Sequence, residues 1–525
     1  MHPPGNGDIA IAKEYHEETK HSRLKLEMSR HYLDWDNRPK PFKLYAGLPS
    51  IPLPASFALP VADALESISG SGHEGSIAAM DLKSLAQLLF FSAGITREMK
   101  FESGKFYMRA ASATGALYPI ELYVVCGETS GLAAGVYHFC PGDFSLTLLR
   151  AGDFRASLSD MAGGDRTIAS CHATIIFTSI AWRNAWKYTA RSYRHWFWDS
   201  GVIAANLLAS AHSAGLRSRI VMGFVDSDVN NLLLLEPEKE AAIALAPIGL
   251  PGGPAPARLE VPALSPPRVL PLSATETDYP EIWKLHKASS LQDAAEVRAW
   301  SAGKIAGTAK ELRARILVKS QSLGETILRR GSSRMFSQDA IPLANLMNTL
   351  YASTRGVPLD FLKEAATTTS IYLVANAIDG LEPGNYFYDR DSDSLKLLAE
   401  KKHAASRNLS GYLCLGQPLF GNASAVMFLM ADLGTALARL GNRGYRACQF
   451  EAGVIAGKVY LAAYAQGIGA SGSTFYDDAV TDAFSPHAEG KSAMIAVGVG
   501  LAAYKSKPGK ILPARLTRQQ LESIK

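Results

Sequence analysis

Residues 186–215 read WKYTARSYRHWFWDSGVIAANLLASAHSAG, and residues 443–467 repeat much of that text as RGYRACQFEAGVIAGKVYLAAYAQG. From Arg191 at a constant offset of 252, nine of 25 positions are identical: Arg191/Arg443, Tyr193/Tyr445, Arg194/Arg446, the tetrapeptide GVIA at Gly201/Gly453, Ala211/Ala463 and Gly215/Gly467. An acid follows in both copies, Asp199 and Glu451. Upstream, GLAAGVYHFCPGDFSLTLL from Gly131 matches GLEPGNYFYDRDSDSLKLL from Gly380 at an offset of 249 without gaps. Two echoes at nearly one spacing mean a duplicated unit. Length alone would divide 525 residues into roughly three or four domains. The repeat instead predicts an N-terminal extension (1–80), a first unit (81–250), a proline-rich and helical connection (251–318) and a second unit (319–525).

Composition narrows the function classes. The net charge of +5 is spread over both signs, and no Lys/Arg block stands beside aromatics as nucleic-acid modules require. Cys126, Cys140, Cys171, Cys414 and Cys448 form no CxxC pair, a pattern suited to a reducing cytosol. The N-terminus has no basic start followed by an apolar segment, and 18 consecutive apolar residues occur nowhere. A cytoplasmic protein with no membrane or nucleic-acid partner is expected. No HxH or HxxxH pair supports a metal site. Gly70, Gly72 and Gly75 spell GxGxxG, but no strand-like run precedes them, so the dinucleotide reading lacks its context.

Along the chain, residues 1–80 form a polar, proline-rich lead-in expected to wrap a neighbouring surface. Asp81 caps a helix with Leu82, Leu85 and Leu89 on one face, and the same type of element recurs at 341–356. Strand-like runs are read at 120–125, 135–139, 145–149, 173–180, 217–224, 240–247 and 492–500. The Ala-rich stretch after Arg191 is apolar nearly all round, as in a helix buried mid-domain. Residues 248–278 make a semi-rigid linker, and a charged helical segment is read at 281–318. Helices mixed with hairpin-like strand pairs give an α+β fold.

Several segments carry a resemblance: LFFSAGIT, RAASATGALYPIELYVV and RNAWKYTARSYRHWFWDSG in the first half, ETILRRGSSRMF, GNRGYRACQFEAGVI and GASGSTFYDD in the second. The chain resembles the nitroreductase-like flavoproteins, and among them the SagB-type (azoline) dehydrogenases in tandem-domain form. The resemblance implies two units, each a mixed sheet flanked by helices, joined as an intramolecular pseudo-dimer with FMN between them. It assigns Arg330 and Ser332 to the phosphate and Arg334 to the flavin ring, with Gly331 in the same run; by the residues alone this run could be a solvated basic helix start. Ser112, Ala113, Thr114 and Gly115 resemble the small-residue loop lying along the flavin, though the family more often has Pro-Ser-Ala-Gly there, and an ordinary turn fits as well. Ser473 and Thr474 would lie beneath the flavin edge or form a plain connection. Lys507, Lys510 or Arg515 could add a phosphate cation.

The family's adjacent Lys-Tyr pair corresponds to Lys187 and Tyr188, where the second copy has Arg439 and Leu440. Oxidising an azoline to an azole removes a proton and a hydride from neighbouring ring carbons, so a lysine with a depressed pKa is a workable base, with Tyr188 assisting. The implied activity is FMN-dependent dehydrogenation of thiazolines or oxazolines in a ribosomally made peptide, beside a cyclodehydratase partner. Two other readings stay open: an NAD(P)H-fed nitroreductase or quinone reductase, and a flavin-free peptide-binding scaffold. The chain is expected as a monomeric pseudo-dimer or a homo-oligomer.

Overall fold

A computed structural model describes residues 5–70, 80–101, 104–249, 254–307, 312–400, 403–511 and 516–524. The repeated stretches become two long helices, Ser192–Ser213 and Arg443–Ala465, buried over almost their whole lengths. They cross at the glycine of the shared tetrapeptide. A Cβ on Gly201 would stand 2.5 Å from the Val454 nitrogen, and one on Gly453 would stand 2.8 Å from the Phe197 oxygen. Only glycine lets two backbones approach this closely.

Each half wraps one six-stranded sheet around this crossing. The first runs Ser50–Pro52, Ser145–Ala151, Gly135–Cys140, Ile120–Cys126, Ala173–Ile180, Glu240–Ile248; the second runs Ser394–Glu400, Gly384–Asp389, Thr369–Ala375, Ala425–Ala431, Ser492–Gly500, Gly469–Ser473. Strand pairing within both is antiparallel throughout, as short hairpin-like connections require. The duplicated, α+β, pseudo-dimeric architecture expected from the repeat is thus observed. Asp81 caps the Leu82–Ala93 helix by accepting from the Ser84 amide, and Leu343–Ser353 is its counterpart.

Two element assignments change. Residues 217–224 are not a strand: Val221 pairs with Leu245, but the Ile220 amide goes to Pro358 and those of Met222 and Gly223 to the Asp360 carboxylate. The segment's donors are thus split between a sheet edge and the other half. The charged segment breaks into helices Pro280–Ala288 and Ala294–Ala302, ending where Gly303 bonds back to Ala299 and Trp300. The GxGxxG reading falls, beyond Gly70, outside the described residues.

Reciprocal ion pairs lock the halves. Arg191 and Arg194 bind Asp477 at 3.0 and 2.7 Å, while their repeats Arg443 and Arg446 bind Asp226 at 2.6 Å each. All six side chains are buried. Burial alone would raise both carboxyls; the arginine pairs outweigh it and hold each below the usual carboxylate range. Tyr15, on the N-terminal helix Ala10–Glu18, sets its ring edge-on to both repeated tyrosines, Tyr193 and Tyr445, at 5.7 Å. The lead-in therefore wraps the pseudo-twofold axis, as expected. In return, Leu521 near the C-terminus is buried against Phe42, Leu44 and Tyr107 of the first half.

Gly453→Val forces the crossing apart, because the obstructing atoms are backbone. The expected loss is about 3 kcal/mol, the upper part of the range for overpacked cores, read as a lowered urea midpoint. An unchanged midpoint would contradict the close approach.

Candidate functional site

Helix Ala181–Tyr188 follows directly on strand Ala173–Ile180 and ends where Thr189 turns to φ +50. Lys187 and Tyr188 occupy its last turn. Lys187 is half-buried, and its ammonium pKa is lowered by burial, then by Arg38 and by Arg334. Because Arg334 belongs to the second half, the Lys-Tyr pair and the Arg-Gly-Ser-Ser-Arg run meet at one place. Burial and then Asp199 raise the Tyr188 phenol. Its hydroxyl lies against Gly115, where a Cβ would come within 2.7 Å of it and where φ is +62. Glycine is required there on both counts.

The loop 112–119 is held from behind. Asp199 Oδ1 accepts from the Thr114 amide at 2.9 Å and from its hydroxyl at 2.7 Å, and Oδ2 accepts from Asn184 at 3.3 Å. Asp199 thereby ties the loop to the helix bearing Lys187. Ser112 and Ala113 are half-buried and line a small pocket with Asp199 and Arg109. The Thr114 hydroxyl is already committed to Asp199.

From the second half, Ser322 caps helix Leu323–Arg329 and delivers Arg330 onto the other unit. Arg330 is buried, and its Nε and Nη2 donate to the carbonyls of Ala110 and Arg109 at 2.9 and 2.8 Å. It thus anchors the stretch that leads into the 112–115 loop, a role the sequence did not indicate. Gly331 and Ser332 are half-buried, and Arg334 is exposed. The Ser332 hydroxyl lies 3.4 Å from the Tyr460 hydroxyl, which also accepts from the Gly472 amide and so joins this run to strand Gly469–Ser473. Arg97, from the first half, donates to Leu328 and Arg329 carbonyls and comes within 3.5 Å of a Cβ on Gly331. The tail passes the same point, with the Gly509 amide on Leu328 and the Lys510 amide on Thr96. Lys507 and Lys510 are exposed there, and Arg515 lies outside the described residues.

Ser473 accepts from Gln417 at 3.0 Å, and Thr474 accepts from Arg191 Nη2 at 3.1 Å. The Thr474 hydroxyl thus faces the Arg191–Asp477 clamp and the Ser473 hydroxyl donates to the Thr474 carbonyl; among the described residues neither is hydrogen-bonded to Lys187 or Arg334.

The pseudo-symmetric place is filled by protein. Glu451, the repeat of Asp199, accepts from Thr367 and Thr368, which stand directly before strand Thr369–Ala375, so the loop corresponding to 112–119 is shortened. Lys458, the repeat of Asn206, donates to the carbonyls of Ile68, Arg355 and Gly356 at 2.8, 2.6 and 2.6 Å. The end of helix Ala64–Ser69 presses on Gly356, where a Cβ would meet the Gly70 oxygen at 2.3 Å.

Two copies of one α+β unit, clamped reciprocally and sharing one composite site, define an internally duplicated protein with the architecture of an oxidoreductase. The chain belongs to the nitroreductase family, whose profile matches residues 80–250 and 327–501. A putative nitroreductase, MJ1384 of Methanocaldococcus jannaschii, is 27% identical over 170 residues, 32% of this chain and 81% of that protein. The microcin B17-processing protein McbC of Escherichia coli is 28% identical over 127 residues, 23% of this chain and 47% of McbC. The trifolitoxin-processing protein TfxB of Rhizobium leguminosarum bv. trifolii is 28% identical over 173 residues, 31% of this chain and 46% of TfxB. The matches thus span about half the length of these two peptide-processing relatives, and they bear out the resemblance to that branch. A putative nitroreductase structure from Anabaena variabilis superposes with a TM-score of 0.73 at 26% identity, covering 94% of this chain and 99% of that one. No helix among the described residues is long and apolar enough to cross a membrane.

The residues present fit a flavin mononucleotide. Gly115 and Gly331 leave surface without side chains, and Arg97, Lys187 and Arg334 gather cations from both halves around them. Sequence reasoning missed Arg38, Arg97, Tyr460 and the pair Asp226/Asp477. The last was legible: FVDSDV at 224–229 repeats as FYDDAV at 475–480, offset by 251.

Burial raises the Asp199 carboxyl to about 7, against the hydrogen bonds from Thr114. The Asn184 amide now turns its Nδ2 to Asp199 and leaves its oxygen without a hydrogen-bond partner among the described residues; with that amide turned over, a protonated Asp199 can donate to the oxygen. With the folded pKa above the unfolded one, this contribution is full below pH 4 and is lost as pH rises through 7, at up to about 1.4 kcal/mol per pH unit. Asp199→Asn is expected to abolish that slope in the variant, so the wild-type-minus-variant stability difference falls as pH rises from 4 to 7. A difference flat in pH would contradict the assignment.

Proposed function

We propose that this protein is an FMN-dependent dehydrogenase that oxidises azoline rings, thiazoline or oxazoline, to azoles in a ribosomally made peptide, in the cytoplasm and beside a cyclodehydratase. The observation that carries the reading is the Lys187–Tyr188 pair, with the Tyr188 hydroxyl against Gly115 of the first half's loop and Lys187 lowered in pKa by burial and by Arg38 and the second half's Arg334. A nitroarene or quinone reductase has no substrate carbon to deprotonate, and a scaffold needs no lysine set among arginines. Likeness to McbC and TfxB, both named for peptide processing, supports the same direction.

Ser332 and Arg334, with Gly331 allowing close approach, would hold the cofactor from the second half, and Ser112, Ala113, Thr114 and Gly115 would lie along it from the first. Arg330 supports that loop through its backbone, and Arg97 with Lys507 or Lys510 adds cations at the phosphate end. Ser473 and Thr474 are assigned to the edge of the site through the Gly469–Ser473 strand. When bound, FMN supplies a two-electron acceptor. The chain's own task is the proton. Lys187 in its unprotonated form takes it from the ring carbon, and two forces favour that form: partial burial disfavours the ammonium, and Arg38 and Arg334 repel it. Tyr188, kept protonated by burial and Asp199, donates its hydroxyl hydrogen to a substrate heteroatom and orients the ring.

Lys187→Ala is expected to lower azoline turnover about 10²–10⁴-fold while the purified protein stays yellow, and Lys187→Arg to be equally inactive because a guanidinium does not deprotonate. Colourless wild-type protein would favour the scaffold, NADPH-driven nitroarene reduction without azoline oxidation the reductase.

The same base predicts a pH profile. Turnover rises with pH as Lys187 loses its proton, with an apparent pKa below that of a free lysine. Arg38→Gln removes one repelling charge, so the rising limb shifts to higher pH. A shift to lower pH, or none, would separate Lys187 from the titration.

A further inference from the structure

Residues 20–41 lie over the catalytic helix as a strap whose outer side is apolar. Leu24, Met28, Tyr32 and Trp35 are 65%, 70%, 81% and 64% exposed, the first two on the short helix Arg23–Glu27 and its cap. Four large apolar side chains left in water within twelve residues are unusual for a soluble surface and mark a binding face. The strap is nevertheless fixed in place: its ends are tied to Asp477 through the His21 amide and to Thr275 through Asn37, and its middle is tied to helix Ala181–Tyr188. His31 Nε2 donates to the Trp186 carbonyl at 3.0 Å, and Trp186 Nε1 donates to the Asp34 carbonyl at 3.0 Å. The Trp35 ring stands edge-on to Trp186 at 5.3 Å, and Arg183 Nε donates to the Lys40 carbonyl at 3.0 Å. Arg38 is close enough to depress Lys187. The face is therefore continuous with the candidate site and held at a fixed distance from it.

Its charge is one-sided. Residues 21–40 carry five cations, Arg23, Lys25, Arg30, Arg38 and Lys40, against three carboxylates. Asp34 accepts from the Asn37 amide, and Glu27 is paired with Arg23. Arg30, Arg38, Lys187 and Arg334 form no ion pair among the described residues.

From this we infer that the strap is the substrate-docking face: an extended peptide segment with apolar or aromatic residues and acidic side chains lies along Leu24, Met28, Tyr32 and Trp35 and thereby presents its ring at Lys187. The inference rests on the peptide reading of the site. The occupant is the substrate chain itself, because the stripe leads to the catalytic helix and is bolted to it, whereas a partner protein would need no such registration to Lys187.

The test uses full-length flavoprotein and two probes: a fluorescein-labelled 20-residue peptide with one thiazoline among Phe, Gly and Asp residues, and a small 2-aryl-thiazoline ester with no flanking residues. Met28→Ala/Tyr32→Ala changes only exposed side chains outside the site. The expected result is about tenfold weaker peptide binding by anisotropy and a matching rise in peptide KM, with kcat, flavin content and small-thiazoline kinetics unchanged. Replacing the peptide's Asp residues by Lys weakens wild-type binding in the same way. Unchanged peptide binding overturns the inference, as does an equal loss for the small thiazoline, or a double variant that loses only association with a cyclodehydratase. If the peptide binds through the strap but neither probe is oxidised, the docking face stands and the azoline reading fails; if both are oxidised with KM indifferent to the strap, the reverse holds.

Discussion

Everything in this molecule depends on two helices touching backbone to backbone at Gly201 and Gly453. The contact brings the N-termini of both long helices into reach of the opposite half, and that reach is used by the reciprocal pairs of Arg191 and Arg194 with Asp477 and of Arg443 and Arg446 with Asp226. Buried ion pairs are weak contributors to net stability but severe penalties when misassembled, since each leaves uncompensated charge in a low dielectric. The arrangement therefore specifies which surface of one half meets which surface of the other. The site is a product of that registration.

Duplication followed by divergence has made the two related places unlike. At one, Asp199 holds a loop with Gly115 at its tip, and Arg330 crosses from the other half to hold the chain leading into it. At the other, the loop is shortened, Glu451 grips Thr367 and Thr368 directly, and the Lys458 ammonium satisfies three carbonyls. Position 206 became a lysine at 458, converting a bond to Phe91 and Ala110 carbonyls into a plug. At the first place, Lys187 has its pKa lowered by burial and further by the repulsion of Arg38 and Arg334, as the proposed base requires. A hydrophobic environment alone would depress it less.

The repeat at 191 and 443, read with the family resemblance, was enough to announce two α+β units and to point to Lys187, Tyr188 and the Arg330–Arg334 run, because duplication leaves identities in the chain whatever the fold. What it could not say was why the repeated residues repeat. Arg191 and Arg194 follow the proposed base within seven residues, yet they serve the interface, and their shared carboxylate, Asp477, lies 286 and 283 positions away in sequence. Arg330, assigned to the phosphate by the resemblance, also carries two backbone carbonyls of the other half, a use visible only once the halves are packed.

Local text thus decided element type, duplication and candidate chemistry, since capping, apolar periodicity and motif spacing are properties of neighbouring residues. Tertiary packing alone decided which half lends which side chain to the candidate site, that residues 217–224 divide their amides between two halves, and that the 20–41 strap lies on helix Ala181–Tyr188 with its apolar side outward. Those outcomes depend on distances between residues far apart in the chain, and backbone contact at two glycines is what sets those distances.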